Sequence, residues 1–413
     1  MIRFHTQFLH AFSALLLVGI ILDPMAGMAE EALKTTEDEQ TQWIAVPFGA
    51  YDTDNGAIYG AHSEFLFGPS AAETPRARLS LLFRGSTRGN WHGRLRHDQP
   101  AERRPGATGF QILGEWRHWE RANFFGIGNA TLGVEGAGAA GNDRTPAHHG
   151  LSQALLRWTS KQMITRSAAL YGALGLSWSR VAVHADSILA AESPFGVDGG
   201  MALELTGGAL LDTTDDRTLP RRGVRAELGV RGAPPLPQGS GHWVGVLGNI
   251  AGYHALSDRI TLAGQIRVEH LWGRIPFYEM NCWGGRQIQW GFGGSTSLRG
   301  ALFGRWLGPG KLIANGEIRA DVGTHVTFNT EFAWQVVPFM DLGAVFGAPT
   351  RDPGLLLFAP VHPSAGIGAR IHIDRTFLLR VDVGVGVDGT KLPNGATQSR
   401  PLLGTYVTFG QLF

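Results

Sequence analysis

The sequence predicts an all-β protein, a transmembrane antiparallel β-barrel of 16 strands. Two observations carry this: apolar and polar residues alternate with period two over runs of roughly ten to fourteen residues, and such runs recur along most of the chain. A third is that short and long connections between the runs alternate. Strands of soluble proteins average about five or six residues, whereas a tilted strand crossing a bilayer needs about 9–11.

Composition narrows the alternatives. A chain of 413 residues admits two or three average domains or one large all-β domain. Glycine fills 58 positions, about twice the usual ~7%. Only 17% of residues are charged and mean hydropathy is −0.04, which argues against both a disordered chain and a helical membrane bundle. Thirty-six basic against 35 acidic side chains leave +1, so no overall field draws in nucleic acid. The single cysteine, Cys282, excludes an intramolecular disulfide and a multi-cysteine metal site.

Residues 1–29 read as a cleaved secretory signal peptide. Arg3 precedes an apolar core from Ala11 to Leu22, and Gly27-Met28-Ala29 supplies small residues before the junction. A dozen apolar residues in a helix span about 18 Å, short of a ~30 Å hydrocarbon core. Residues 30–42 are a short acidic leader, and 43–413 form the outer-membrane barrel domain. Within that domain no apolar run reaches the roughly 18 residues of a membrane helix.

Strands are expected near 43–51, 57–68, 76–86, 90–98, 109–119, 149–160, 165–182, 198–212, 222–233, 242–256, 259–272, 311–321, 328–346, 364–374, 377–388 and 401–413. Phe377, Leu379, Val381, Val383, Val385 and Val387 lie on one face of a run whose other face holds Arg380, Asp382, Gly384 and Gly386. Lipid would take the first face and a wet lumen the second, and backbone groups in hydrocarbon oblige the sheet to close. Connections after even strands are short, as at 257–258. Those after odd strands include 120–148, 183–197, 273–310 and 347–363, the pattern of periplasmic turns and external loops. Trp43, Trp116, Trp119, Trp158, Trp178 and Trp334 stand near strand ends, where an interfacial girdle would place them. The closing LLGTYVTFGQLF puts Leu403, Val407, Phe409 and Phe413 on one face and resembles the terminal recognition signal of outer-membrane barrels, with Gln411 departing from it.

Five motifs carry a wider resemblance. The glycine-rich connection 273–310 holds Leu298-Arg299-Gly300. Asn315-Gly316-Glu317-Ile318-Arg319 and Pro338-Phe339-Met340-Asp341-Leu342-Gly343 follow, and strand parity turns Glu317, Arg319 and Asp341 inward. Phe124-Phe125-Gly126-Ile127-Gly128-Asn129 and Asp212-Thr213-Thr214-Asp215 with Pro220 and Gly223 precede them. Together they resemble the BamA/TamA-type bacterial surface-antigen family. The resemblance implies a sixteen-stranded barrel with a long external loop folded into the lumen. Its Leu298-Arg299-Gly300 tip would be locked by Glu317, Arg319 and Asp341, and Phe413 and the first strand would form a seam that opens to template a client. Thr214 and Ala301 depart from the family pattern, the latter replacing an aromatic residue. The leader offers no room for the periplasmic polypeptide-transport-associated domains of well-studied members, so a barrel-only member is expected.

Other sites are weak. Gly384-Val-Gly386-Val-Asp-Gly389 matches a dinucleotide fingerprint, but no helix pattern follows it. His148-His149 lacks a spaced third metal ligand. No G-x-S-x-G elbow is present. The sequence therefore implies no enzyme, cofactor or metal. The expected role is outer-membrane protein or lipid assembly or translocation, with outer-membrane lipids as surroundings and unfolded outer-membrane proteins or lipids as clients. The alternatives are a passive pore or structural barrel lacking insertase activity, and, more remotely, a lipase-like enzyme.

Overall fold

Alternation sustained over this much chain leaves each strand one apolar face, and the sheet it builds is continuous. In the computed structural model, which describes residues 42–67, 77–129, 131, 146–216, 219–237, 239, 241–327, 330–347, 359–373, 377–391, 397–409 and 412–413, 16 strands pair antiparallel in chain order. They are β1 (Gln42–Asp52), β2 (Gly56–Phe67), β3 (Ala77–Ser86), β4 (Trp91–Gln99), β5 (Thr108–Asn123), β6 (His148–Met163), β7 (Ala168–Ala182) and β8 (Gly200–Asp212). The second half comprises β9 (Gly223–Ala233), β10 (His242–Ala255), β11 (Ile260–Arg274), β12 (Gly310–Thr327), β13 (Thr330–Phe346), β14 (His362–Ile373), β15 (Phe377–Lys391) and β16 (Thr397–Phe409). The expected signal peptide, residues 30–41 of the leader, and Gln411 lie outside the described residues.

The faces are inverted relative to a soluble protein. Leu174, Leu205, Leu228, Val246, Ile266 and Val385 are exposed on the outer face, while Arg231, Glu269, Glu317, Asp341 and Asp382 are buried inside. Such an exposed apolar belt is stable in hydrocarbon and a liability in water. Trp43, Trp116, Trp158 and Trp178 belong to that outer face. Trp119 does not: it points inward and stacks on Phe303 of the long loop, with ring centroids 4.9 Å apart.

The largest departures from the expected strand bounds have identifiable reasons. β5 runs past residue 119 and β12 past 321, and in each the ladder register shifts at that point, between Trp119 and Ala122 and between Asp321 and Gly323. A bulge inserts an unpaired residue and reverses the alternation, so the period-two signal stops where the strand does not. β16 begins at Thr397, ahead of Pro401, which an edge strand tolerates because its missing donor can face away from the ladder. His148, expected as the last residue of the 120–148 connection, opens β6 ahead of His149.

β1 and β16 complete the ring, with no ladder between them among the described residues. The Thr53 backbone N–H donates to the Thr405 carbonyl at 3.2 Å, and the Thr405 N–H donates to Thr53 Oγ1 at 2.9 Å. Ala50, on the inward parity of β1, packs against Ile371, Leu379, Val381 and Val407, which have outward parity on β14 to β16. The first strand therefore laps over the outside of the last. Phe413 is not at this seam. It sits inside the barrel with its ring 6.3 Å from Tyr253 and the Arg319 guanidinium 5.1 Å from its centroid.

Leu228 stands at the middle of β9 on the outer face. Leu228→Arg should cost about 2–4 kcal/mol of folding free energy in lipid vesicles. Denaturant unfolding of the vesicle-inserted protein measures it; a neutral result would mean that this face does not meet hydrocarbon.

Candidate functional site

The connection from Ile275 to Pro309 returns into the lumen, and its conformation is set by short local pieces. A 3₁₀ turn, Phe277–Asn281, is followed by a two-residue ribbon pairing Cys282–Trp283 with Gln289–Trp290, then by a second 3₁₀ turn, Gly294–Thr296. The tip follows at Leu298-Arg299-Gly300. Leu298 is buried among Trp283, Phe292, Ala301, Trp306, Ile313 and Val345, a small apolar core made mostly by the loop and completed by one residue each from β12 and β13.

Arg299 has no exposed surface. Its Nε and Nη2 donate to the two oxygens of Asp341 at 2.9 and 2.8 Å, its backbone N–H donates to Asp341 Oδ2 at 3.0 Å, and Nη1 donates to Glu317 Oε1 at 2.7 Å. The guanidinium lies 3.5 Å from the centre of the Phe339 ring. Burial alone would lower its pKa; the charges of Asp341, Glu317 and Asp382 more than reverse this and hold it above the ordinary arginine value. Glu317 is shared with Arg319 at 2.9 Å and Arg370 at 3.2 Å, and Asp382 is 2.7 Å from Arg370. The structure thus brings Arg299, Glu317, Arg319 and Asp341 into one network, to which β14 and β15 add Arg370 and Asp382.

Gly300 has φ +103, and a Cβ there would lie 2.6 Å from the Gly386 nitrogen. Conversely, a Cβ at Gly384 would approach the Arg299 carbonyl oxygen to 2.8 Å, and one at Gly386 the Gly300 oxygen to 2.7 Å. The glycines that mimic a dinucleotide fingerprint are the seat of the loop tip. Tyr406 of β16 completes it, accepting from the Gly300 N–H at 3.3 Å and donating to the Ala301 carbonyl at 3.0 Å.

Two further clasps were not anticipated from the sequence. Arg231 meets Glu269 at 2.6 Å, Glu204 at 2.8 Å and the Cys282 carbonyl at 3.1 Å, while Lys311 meets Glu269 at 2.8 Å. Burial raises the loop carboxyl of Glu279 despite the pull of Arg231, and pushes the Cys282 thiol up to about 12. That thiol is protonated and unreactive at neutral pH. On the returning limb, Arg305 lies 2.6 Å from Asp388 and donates to Thr131 Oγ1 at 2.7 Å, with its guanidinium 4.8 Å from the Phe125 ring centre. The Gly128 N–H donates to the Leu307 carbonyl at 2.7 Å, which gives the FFGIGN segment its task of holding that limb. At the opposite end of the barrel, Thr214 donates its hydroxyl to Asp212 at 2.6 Å, and Asp215 accepts from the Arg221 and Arg222 N–H groups at 3.0 and 3.1 Å. That motif is a stapled turn. Phe409 is the last residue of β16, in register with Leu379.

A barrel of sixteen strands whose lumen receives one loop through an arginine tip can be set beside known proteins. The model of the Omp85 superfamily domain matches residues 166–399, more than half of the chain. The chain belongs to the Omp85 superfamily. An Omp85 barrel resides in the outer membrane and serves assembly or translocation there. Among solved structures, the crystal structure of BamA from Haemophilus ducreyi lacking POTRA domains 1–3 is similar at a TM-score of 0.56 and 14% identity, over 92% of this chain and 74% of that one. CdiB from Escherichia coli is similar at a TM-score of 0.55 and 9% identity, over 89% of this chain and 62% of that one. At these identities the likeness is one of fold. No curated protein matches the chain.

Arg299→Ala, Glu317→Ala and Asp341→Ala should each lower the temperature at which the folded Omp85 barrel loses its fast gel mobility. Removing one partner of a buried pair costs roughly 3–5 kcal/mol. Gly386→Val should do the same with every charge intact. Three neutral charge variants would dismiss the network as a stabiliser.

Asp54, in the β1–β2 turn, accepts the Phe303 N–H at 2.9 Å; burial, and then the charge of Asp52, push its carboxyl up to about 7. The fold keeps a proton that the unfolded chain has already released, so stability should fall as pH rises from about 4 to about 7. Asp54→Asn should flatten that slope in heat-modified gels run across the range; an unchanged slope assigns it to another group.

Proposed function

We propose that this barrel is a non-enzymatic assembly factor that hands protein or lipid clients into or across the outer membrane, with the β1–β16 seam as its working edge. The observation that carries this reading is the contrast between the seam and the rest of the sheet. Among the described residues fifteen neighbouring pairs are joined by ladders, while the seam shows a lap, a backbone bond and a bond to a threonine hydroxyl in place of a ladder. A strand edge that keeps unpaired N–H and C=O groups is a template for another strand. The loop, clasped to the opposite wall and to Tyr406, would hold the lumen steady while that edge exchanges partners.

A disulfide across the seam tests this. Thr53→Cys with Thr405→Cys, in a Cys282→Ser background and as the only copy in the cell, should support normal outer-membrane protein and lipid composition under reducing conditions and fail when oxidised. Equal composition in both states would remove the seam from the mechanism.

The rival is a passive pore. The clasped loop favours a closed lumen, so planar bilayers should show little conductance for the wild-type protein and a gain for Arg299→Ala. Steady large openings in the wild type, unaltered by that substitution, would favour the pore.

A further inference from the structure

The arginines that hold the loop each have a carboxylate within 3 Å: Arg299, Arg231 and Arg305. A second group of cations does not follow that rule. Beneath the loop lies a cavity of about 800 Å³. It is bounded by the ends of β4, β8 and β9 and by Leu412 and Phe413. This is the end of the barrel with the even-numbered turns, periplasmic in bacterial barrels. Residues 286–289 of the loop form its roof, so the chamber opens toward the periplasm and is capped from outside.

Seven of its lining side chains are cationic and three are carboxylates. The carboxylates are already engaged. Asp98 is 3.0 Å from Arg96, Asp212 is 3.1 Å from Arg103, and Glu227 accepts the Arg286 backbone N–H at 2.6 Å. Arg94, Arg267 and Arg286 form no ion pair with the described residues. Arg267 is held by neutral acceptors, the Gln289 side chain and the Gly284 carbonyl, and the Arg94 Nε is sealed from solvent with no acceptor. Burial lowers the pKa of Arg286, and the nearby charge of Arg96 lowers it further against the pull of Glu227. Arg94 from β4, Arg267 from β11 and Arg286 from the loop line one cavity with more cations than carboxylates, and each is largely desolvated without a carboxylate in contact, a cost that a bound anion relieves.

We propose that this chamber is a binding site for a phosphorylated anion, either a lipid headgroup or a soluble phosphate ester, held by Arg94, Arg267 and Arg286. A phosphate monoester offers three terminal oxygens and up to two charges, enough for forks arriving from two walls and a roof; a carboxylate offers two oxygens and one charge. The volume suits a headgroup or small ester and falls within the range of ligand pockets, about 300–1,000 Å³. This site does not depend on whether the seam opens.

Titration calorimetry on the full chain in neutral detergent tests it, with glycerol phosphate, dihexanoyl phosphatidic acid and acetate as probes. Saturable binding of the phosphate probes, at least tenfold tighter than acetate, is expected. Arg94→Gln with Arg286→Gln should weaken it tenfold or more, while Arg180→Gln, exposed near the opposite end of β7 and outside the chamber lining, should leave it unchanged. Should the double variant lose its heat-modifiable gel mobility, Arg286→Gln alone gives the same reading from the loop. Tighter binding of phosphatidic acid than of glycerol phosphate assigns the site to a lipid headgroup, and equal binding to a soluble ester. Absence of saturable binding, indifference to the arginine variants, or stronger binding of an acidic peptide with the sequence of residues 30–41 would overturn the proposal.

Discussion

A guanidinium sealed from water keeps its charge only where counter-charge has been built around it, and Arg299 makes the rest of this barrel answer to that constraint. Its partners stand on β12 and β13, with Asp382 on β15 behind them. Bidentate geometry fixes the direction of the side chain as well as its position. The tip backbone is then pressed against Gly384 and Gly386, where only a residue without Cβ fits. One buried ion pair thereby sets which strand positions must be acidic, which must be glycine, and how a long connection must turn.

The loop is also the core of the molecule. A barrel of this size encloses more space than wall side chains can fill, and the remainder is either water or protein. Here Trp283, Phe292, Leu298 and Trp306 form a dry cluster inside the upper lumen. Polar clasps flank that cluster, Arg231 with Lys311 on one side and Arg305 on another. Buried pairs of this kind add little net stability compared with apolar replacements, but they specify register. Three clasps at separate places hold one loop in one position.

Much of this was legible in the sequence, for a physical reason. Two solvents on the two faces of a sheet write a period-two pattern, so strand number, order and inward parity of Glu317, Arg319 and Asp341 followed directly. The pattern failed at Trp119 and Asp321, where bulges reverse the faces. The Arg231–Glu269–Lys311 clasp was missed although each member lies on an inward position, because partners on different strands become neighbours only once register is fixed. Phe413 was misplaced at the seam for the opposite reason. Parity extrapolates a strand indefinitely, while β16 ends at Phe409 and the Arg319–Tyr253 pair offers the final ring a better berth inside.

The seam and the loop tip coincide in space, and energetics explains why that matters. Unpaired backbone groups facing hydrocarbon cost several kcal/mol each, so a sheet would ordinarily zip shut along its last edge. Here β1 laps outside β16, and contacts from within bridge the gap: Tyr406 on one margin binds Gly300 and Ala301, and Asp54 on the other binds Phe303. The loop therefore spans both margins of the one joint that lacks a ladder. Among the described residues that joint is held by the apolar lap, the two Thr53–Thr405 bonds and a few side-chain hydrogen bonds to the loop, each hydrogen bond worth about 0.5–1.5 kcal/mol, instead of by a cooperative row of backbone bonds. For the proposed seam function this is the arrangement required: one joint that could part locally while fifteen laddered pairs and the Arg299 network keep the wall intact.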